Sequence, residues 1–206
     1  MSKSCRFQRR RGPPRSFKRT VLIVGEGRET EPNYFDGLKR ETEVAARFSV
    51  TVKRGRGRSP ESVIGEVLKH KSQGDYDEVW CVLDVEGAQK RASLEKALRL
   101  AADNGITVCL SNPSFEAWFL AHFERTTAPF AGARAVIVRL SKHWQKEYRT
   151  KYDKSAQDLY SRLSNRTPTA IANARWGKEI HHKDRPVADC NSSTEVYRLV
   201  RRLLGQ

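Results

Sequence analysis

Short apolar runs alternate with helical patterns along the first half of the chain, and this alternation constrains the fold more than any other feature. Four runs have the length and composition of strands, and each is followed by a glycine or by polar residues. They are Thr20–Val24, Phe48–Lys53, Glu78–Leu83 and Ile106–Leu110. Phe48–Lys53 alternates in polarity, as strands at an edge do. The order predicts an α/β domain with a parallel sheet and helices on both faces.

The segments between these strands carry signals for the beginnings and ends of helices. Pro32 is expected at the first position of the first helix, and Ser59 with Pro60 is expected to begin the next. The helix before the fourth strand is predicted to end at Asn104–Gly105, where glycine permits a left-handed stop. A further helix is predicted from Asn112-Pro113 through about Phe123.

The second half of the chain shows helical patterns and no convincing strand. The apolar run Ala135–Val138 fits a helix better than a strand. Ser192 and Glu195 have the spacing of a capping box, which predicts the start of the last helix. We therefore expect residues 125–206 to form a helical C-terminal lobe packed on an α/β domain of residues 20–124.

The charge of the chain points to an anionic partner. The formal net charge is +15, and residues 1–19 form a basic leader that contains no acid and is expected to be disordered alone. Nucleic acid, either DNA or RNA, is the commonest partner of such a chain. A solubilising tail is the alternative explanation of the leader.

A membrane is not expected as a partner. The sequence contains no transmembrane run, no secretory signal and no basic amphipathic helix in the leader. The four cysteines lack the spacing of a zinc knuckle or a redox pair. These features predict a cytoplasmic protein in a reducing compartment.

Acidic residues follow the predicted strands, and they are the main candidates for chemistry. Glu26 follows the first strand between two glycines, and Asp84 and Glu86 follow the third. Ligands of α/β sheets bind at the carboxyl ends of the strands. Carboxylate oxygens suit Mg²⁺ or Mn²⁺, which can assist phosphoryl displacement. The alternative is that each acid caps a helix and contacts water.

Glu116 is a candidate for a different reason. On a helix through Phe123 it falls inside an apolar stripe that includes Phe119. A carboxylate buried on such a face is costly unless it has a partner. It is therefore either a metal ligand or a structural carboxylate with hydrogen-bond donors, and the sequence leaves both open.

Several segments together resemble the RloB family over roughly residues 20–200. The matching segments are Val21–Phe35, Leu83-Asp84, Ser111–Trp118, Tyr152-Asp-Lys154 and Asn191–Thr194. The resemblance implies a Toprim-like parallel sheet flanked by helices. It also implies a place in bacterial restriction and abortive-infection loci, often beside an ATPase, which is thus a candidate partner.

The resemblance also assigns roles to single residues. Glu26 corresponds to the glutamate after the first Toprim strand, a general acid/base or metal contact. Asp84 and Glu86 correspond to a pair that is usually Asp-x-Asp, so Glu86 departs from the pattern. Lys154 corresponds to a basic phosphate contact. The longer arm of Glu86 changes the geometry available to a metal.

These inferences lead to the expectation of a Mg²⁺-dependent nuclease in antiphage defence. Catalysis would rest on Glu26, Asp84 and Glu86, with Glu116 as a further metal ligand. The phosphate contacts would be Arg28, Arg54, Arg56, Arg58 and Lys154. A nucleic-acid-binding or sensor subunit that regulates a partner ATPase is the alternative, and a primase-like nucleotidyl transferase is a third.

Overall fold

A five-stranded, mostly parallel sheet forms the centre of the protein. A computed structural model describes residues 17–55, 59–85 and 91–206. The strands are β1 (Arg19–Gly25), β2 (Phe48–Arg54), β3 (Glu78–Asp84), β4 (Thr107–Asn112) and β5 (Ser193–Thr194). Their order across the sheet is β2-β1-β3-β4-β5, and among these described strands only β5 runs antiparallel to its neighbour. The predicted α/β class is confirmed, and β2 lies at an edge as predicted.

Helices connect the parallel strands, and five of the nine α-helices in the described parts lie in the second half of the chain. They are α1 (Thr30–Leu38), α2 (Thr42–Arg47), α3 (Pro60–Lys71), α4 (Arg91–Asp103), α5 (Glu116–Ala121), α6 (Ala133–Tyr148), α7 (Leu159–Leu163), α8 (Thr167–Arg175) and α9 (Val196–Leu204). The run Ala135–Val138 lies within α6, so its assignment to a helix is confirmed.

Several predicted helix ends are present. The Ser59 hydroxyl accepts a hydrogen bond from the Ser62 N–H, which caps α3 as predicted. Gly105 has a φ of 64°, the left-handed conformation expected after α4. Helix α1 begins at Thr30, two residues before the predicted start at Pro32. Helix α5 covers only residues 116–121 of the longer helix that was predicted.

The side chains of the sheet alternate between two apolar cores. Leu22 and Cys81 point to one face, where α3 and α4 cover them. Val21 and Val82 point to the opposite face, where they contact α1 and the helices of the C-terminal half. The C-terminal helices therefore share a core with the sheet.

The expectation of no strand after residue 125 is wrong, because β5 adds two residues to the sheet. The predicted capping box at the last helix is also wrong. Glu195 makes no capping contact. Its backbone N–H instead donates to the Leu110 carbonyl at 2.8 Å, and its carboxylate accepts from the Leu110 N–H at 3.3 Å. The Glu195 side chain bonds to the backbone of β4 because β5 places it beside that strand.

Some predicted residues lie outside the described parts of the chain. They are Glu86, Arg56, Arg58 and the leader through residue 16. Arg19, the last residue of the predicted leader, is the first residue of β1. None of the helices in the described parts is long and apolar enough to cross a bilayer.

Gly37 in α1 tests the packing between α1 and α7, and Gly65 in α3 is its control. A Cβ atom at Gly37 would lie 2.5 Å from the Cβ atom of Tyr160, whereas one at Gly65 in α3 meets no atom within 4 Å. We expect Gly37→Ala to lower the free energy of unfolding by about 1–3 kcal/mol through overpacking. Gly65→Ala should raise it by about 0.5–1 kcal/mol, because alanine favours a helix. Urea titrations measure both, and equal effects would contradict this account.

Candidate functional site

The turn after β1 carries Glu26 to the end of β3. The Glu26 N–H donates to the Val82 carbonyl at 3.0 Å and so extends the contact between the two strands. The Glu26 Oε2 atom accepts a hydrogen bond of 3.0 Å from the Asp84 N–H. Two of the predicted site residues are thus brought together. They lie between β1 and β3, where the strand order of the sheet reverses direction, which is where ligands of open α/β sheets bind.

A third carboxylate, Glu31, lies behind this pair and was not predicted from the sequence. Its side chain is only 4% exposed in the first turn of α1. The Gly27 N–H donates to its Oε1 atom at 2.9 Å. Burial raises the pKa of Glu31 above its ordinary value, and the nearby negative charges of Glu116 and Glu26 raise it further.

The two glycines around Glu26 make room for Glu31. A Cβ atom at Gly25 would lie 2.8 Å from the Glu31 Cβ atom, and one at Gly27 would overlap the Glu31 carboxylate. Neither glycine has the positive φ that would by itself call for glycine. Positions 25 and 27 therefore require glycine because the Glu31 side chain packs directly against the backbone there.

Glu116 is 7% exposed, as its position in the apolar stripe predicted. The Ser114 hydroxyl donates to Glu116 Oε2 at 2.7 Å. The Tyr152 hydroxyl lies 3.5 Å from Oε1, a long contact. Burial raises the pKa of Tyr152 well above its ordinary value, and the charges of Glu116 and Glu31 add to this effect. Tyr152 was quoted in the family resemblance, but no role was predicted for it.

The loop that contains Tyr152 and Lys154 is fastened to α1. The Asn33 side chain donates to the Ser155 carbonyl at 2.8 Å and to the Ala156 carbonyl at 3.3 Å. Lys154 itself is exposed on this loop. The same helix thus holds both the buried Glu31 and the loop whose tyrosine contacts Glu116.

A basic groove of about 740 Å³ lies beside the ends of β1 and β2. Five of the described residues that line it can carry a positive charge: Arg28, Lys53, Arg54, Lys69 and His70. Two predicted phosphate contacts, Arg28 and Arg54, are therefore brought to one surface. Lys154, which was also predicted to contact phosphate, does not line the groove. Gly55, which follows β2, also lines the groove, and its N–H donates to the Gly25 carbonyl at the end of β1 at 2.8 Å.

The described carboxylates do not by themselves form a finished metal centre. Within residues 17–55, 59–85 and 91–206, no three His, Cys, Asp or Glu side chains are grouped so that they could hold a metal ion. Glu26, Glu31 and Glu116 each accept a hydrogen bond from within the protein. Their oxygens are nevertheless of the type that hard divalent cations prefer.

The fold and the site together define an α/β protein with buried and half-buried carboxylates at the carboxyl edge of a parallel sheet. The chain matches the family model described as RloB-like protein over residues 21–203, which is most of its length. It therefore belongs to the RloB-like family. No curated protein and no solved structure matches it significantly.

The buried carboxyl group of Glu31 should make stability depend on pH. Its pKa is raised in the folded state, so the folded protein binds the proton more tightly than the unfolded chain does. This contribution is present below the ordinary pKa of 4.5 and is lost as pH rises through the folded pKa. We expect Glu31→Gln to stabilise the protein relative to wild type at pH 7.5, and to do so less at pH 4.5.

Chemical denaturation at the two pH values measures this difference. Glu29→Gln is the control, because Glu29 is exposed two residues earlier in the chain. It should leave the unfolding free energy unchanged at both pH values. A benefit of Glu31→Gln that is equal at pH 4.5 and pH 7.5 would contradict a pH-linked role for this carboxyl group.

Proposed function

We propose that the protein is a Mg²⁺- or Mn²⁺-dependent Toprim-type nuclease that cuts DNA or RNA phosphodiesters in bacterial antiphage defence. The contact between Glu26 and the Asp84 N–H carries this proposal, because it fixes one acid beside another at the ends of β1 and β3. Their position matches the ligand-binding edge of α/β sheets. The Toprim and defence components rest on the resemblance of the sequence motifs to the RloB family.

The chemistry of the acids fits a magnesium ion. Mg²⁺ is usually held by one or two protein carboxylates together with water and substrate phosphate. Glu26 and Asp84 are the described residues that would hold it. When bound, such an ion supplies positive charge that stabilises the developing charge on a phosphate and activates water.

The protein residues would orient the reacting groups. The Asp84 N–H holds one oxygen of the Glu26 carboxylate in a fixed direction. Arg28, Lys53 and Arg54 in the basic groove would hold backbone phosphates next to the acids. Such contacts orient a strand without reading its sequence, which suits a nuclease whose substrate is selected by shape or by a partner.

A second candidate is a nucleic-acid-binding or sensor subunit that regulates a partner ATPase. The departure of Glu86 from the Asp-x-Asp pair of the Toprim pattern favours this alternative, because the longer side chain changes the geometry available to a metal. It shares the basic groove with the nuclease proposal and differs in having no metal-dependent turnover. One cleavage experiment therefore separates the two.

Cleavage of labelled single-stranded and double-stranded DNA and RNA in Mg²⁺ or Mn²⁺ tests the nuclease. We expect Asp84→Asn to lower the cleavage rate by about 100-fold or more, because it removes a carboxylate that would hold the metal ion. Binding of nucleic acid should be retained, because the backbone N–H that contacts Glu26 remains. Asp75→Asn is the control, since Asp75 is an exposed acid before β3. It should cleave like the wild type.

The assay is run with the protein alone and with the protein co-expressed with an ATPase of the kind that the RloB resemblance implies as a partner. Binding without cleavage by the wild-type protein, under every metal and substrate condition, would refute the nuclease and support the sensor subunit. Cleavage by Asp84→Asn at the wild-type rate would remove Asp84 from the catalytic group.

The basic groove is tested separately by the salt dependence of binding. Each phosphate contact contributes about −0.7 to −0.9 to the slope of log K against log salt. Arg54→Ala should weaken binding and reduce the magnitude of that slope by about this amount. Lys142→Ala, which removes an exposed cation on α6, is the matched control and should keep the wild-type slope. Equal slopes for the two variants would refute a phosphate contact by Arg54.

A further inference from the structure

A second cavity lies on the other side of Asp84 from the basic groove. Its volume is about 320 Å³, within the range of small-molecule sites. It opens at the ends of β3 and β4, next to the beginning of α4. Its lining includes the apolar residues Leu94, Pro113, Phe130 and Ala188 and the polar residues Asp84, Arg91, Asn112, Asp189 and Asn191. Apolar side chains form most of the walls, and two carboxylates, one guanidinium group and two amide groups lie among them.

Hydrogen bonds and an ion pair hold the walls of the cavity in place. The Asn191 side chain accepts from the Phe130 N–H at 3.0 Å and donates to the Phe130 carbonyl at 2.6 Å. The backbone at Phe130, one of the residues that line the cavity, is therefore held in place. Arg91 forms a 2.7 Å ion pair with Asp189 and joins α4 to the opposite wall.

The combination of walls and charges restricts what the cavity can bind. Two carboxylates, Asp84 and Asp189, oppose an anionic ligand, and Arg91 is already paired with one of them. The apolar surface of Leu94, Pro113 and Phe130 suits a flat uncharged ring. Carboxylate oxygens accept hydrogen bonds from amino groups on such a ring.

We propose that this cavity binds one nucleobase of the nucleic acid whose phosphate lies at Glu26 and Asp84. The proposal rests on the proposed function, because it places the base beside the phosphate that is cut. The base would contact the Phe130 ring, as bases do on aromatic side chains of single-strand binding proteins. Bases with an exocyclic amino group, namely guanine, adenine and cytosine, would bind better than uracil.

Titration calorimetry of the full chain with guanosine, adenosine, cytidine and uridine tests the proposal. The buffer contains EDTA, so binding is measured without metal and without cleavage. Wild-type protein should bind the three amino-bearing nucleosides saturably and uridine more weakly. Phe130→Ala should raise the dissociation constant about tenfold, the size of one base–aromatic contact.

Two further variants keep the test decisive. Phe17→Ala removes a fully exposed phenylalanine on another surface and should bind like the wild type. Ala188→Phe should block binding by filling the cavity, which decides the outcome if Phe130→Ala does not fold. No nucleoside binding by the wild type, equal effects of Phe130→Ala and Phe17→Ala, or equal binding of uridine would each overturn the proposal.

The outcomes also separate this proposal from the nuclease. Nucleoside binding without any nuclease activity would leave the cavity as a nucleobase site and refute only the cleavage reaction. Metal-dependent cleavage by a protein that binds no nucleoside would leave the nuclease and refute only the base site.

Discussion

The packing of one buried carboxylate against the backbone holds the candidate site together. Glu31 lies against Gly25 and Gly27, and it accepts the Gly27 N–H. That contact fixes the turn between β1 and α1, and the turn places Glu26 beside the end of β3. Burial and two neighbouring acids oppose the charge of Glu31, so a proton or a nearby cation relieves a cost that the fold imposes.

Hydrogen bonds join several of the segments that resemble the RloB family to one another. Asn33 of the first segment holds the loop after Tyr152 through two carbonyls. The Ser111 and Thr194 hydroxyls share a 2.8 Å hydrogen bond, which joins β4 to β5. Asn112 also donates to the carbonyl of Val187, a residue outside these segments, at 2.9 Å. Segments far apart in sequence therefore act together because each one supports the carboxyl edge of the sheet.

The sequence could predict the parts of this fold that depend on local patterns. Four strands, the cap at Ser59 and the stop at Gly105 follow from neighbouring residues alone. Strand β5 has only two residues, too few for any pattern, and it exists because β4 offers it hydrogen bonds. The burial of Glu31 was missed because it arises from close approach to glycines of the preceding turn. Such an approach is a tertiary property that no helical periodicity encodes.

Three surfaces follow one another along the carboxyl edge in the order of the strands. The basic groove lies beside β2 and β1, the acids lie at β1 and β3, and the second cavity lies at β3 and β4. Adjacent strands are about 4.8 Å apart, so the row spans roughly 14 Å, the reach of a few nucleotides. Under the proposed function, a single strand would place one phosphate on Arg54, the next at the acids and a base in the cavity. Because the acids lie in the middle of the row, the strand would then be held on both sides of the bond to be cut. This would orient the phosphate without any sequence-specific contact to the rest of the strand.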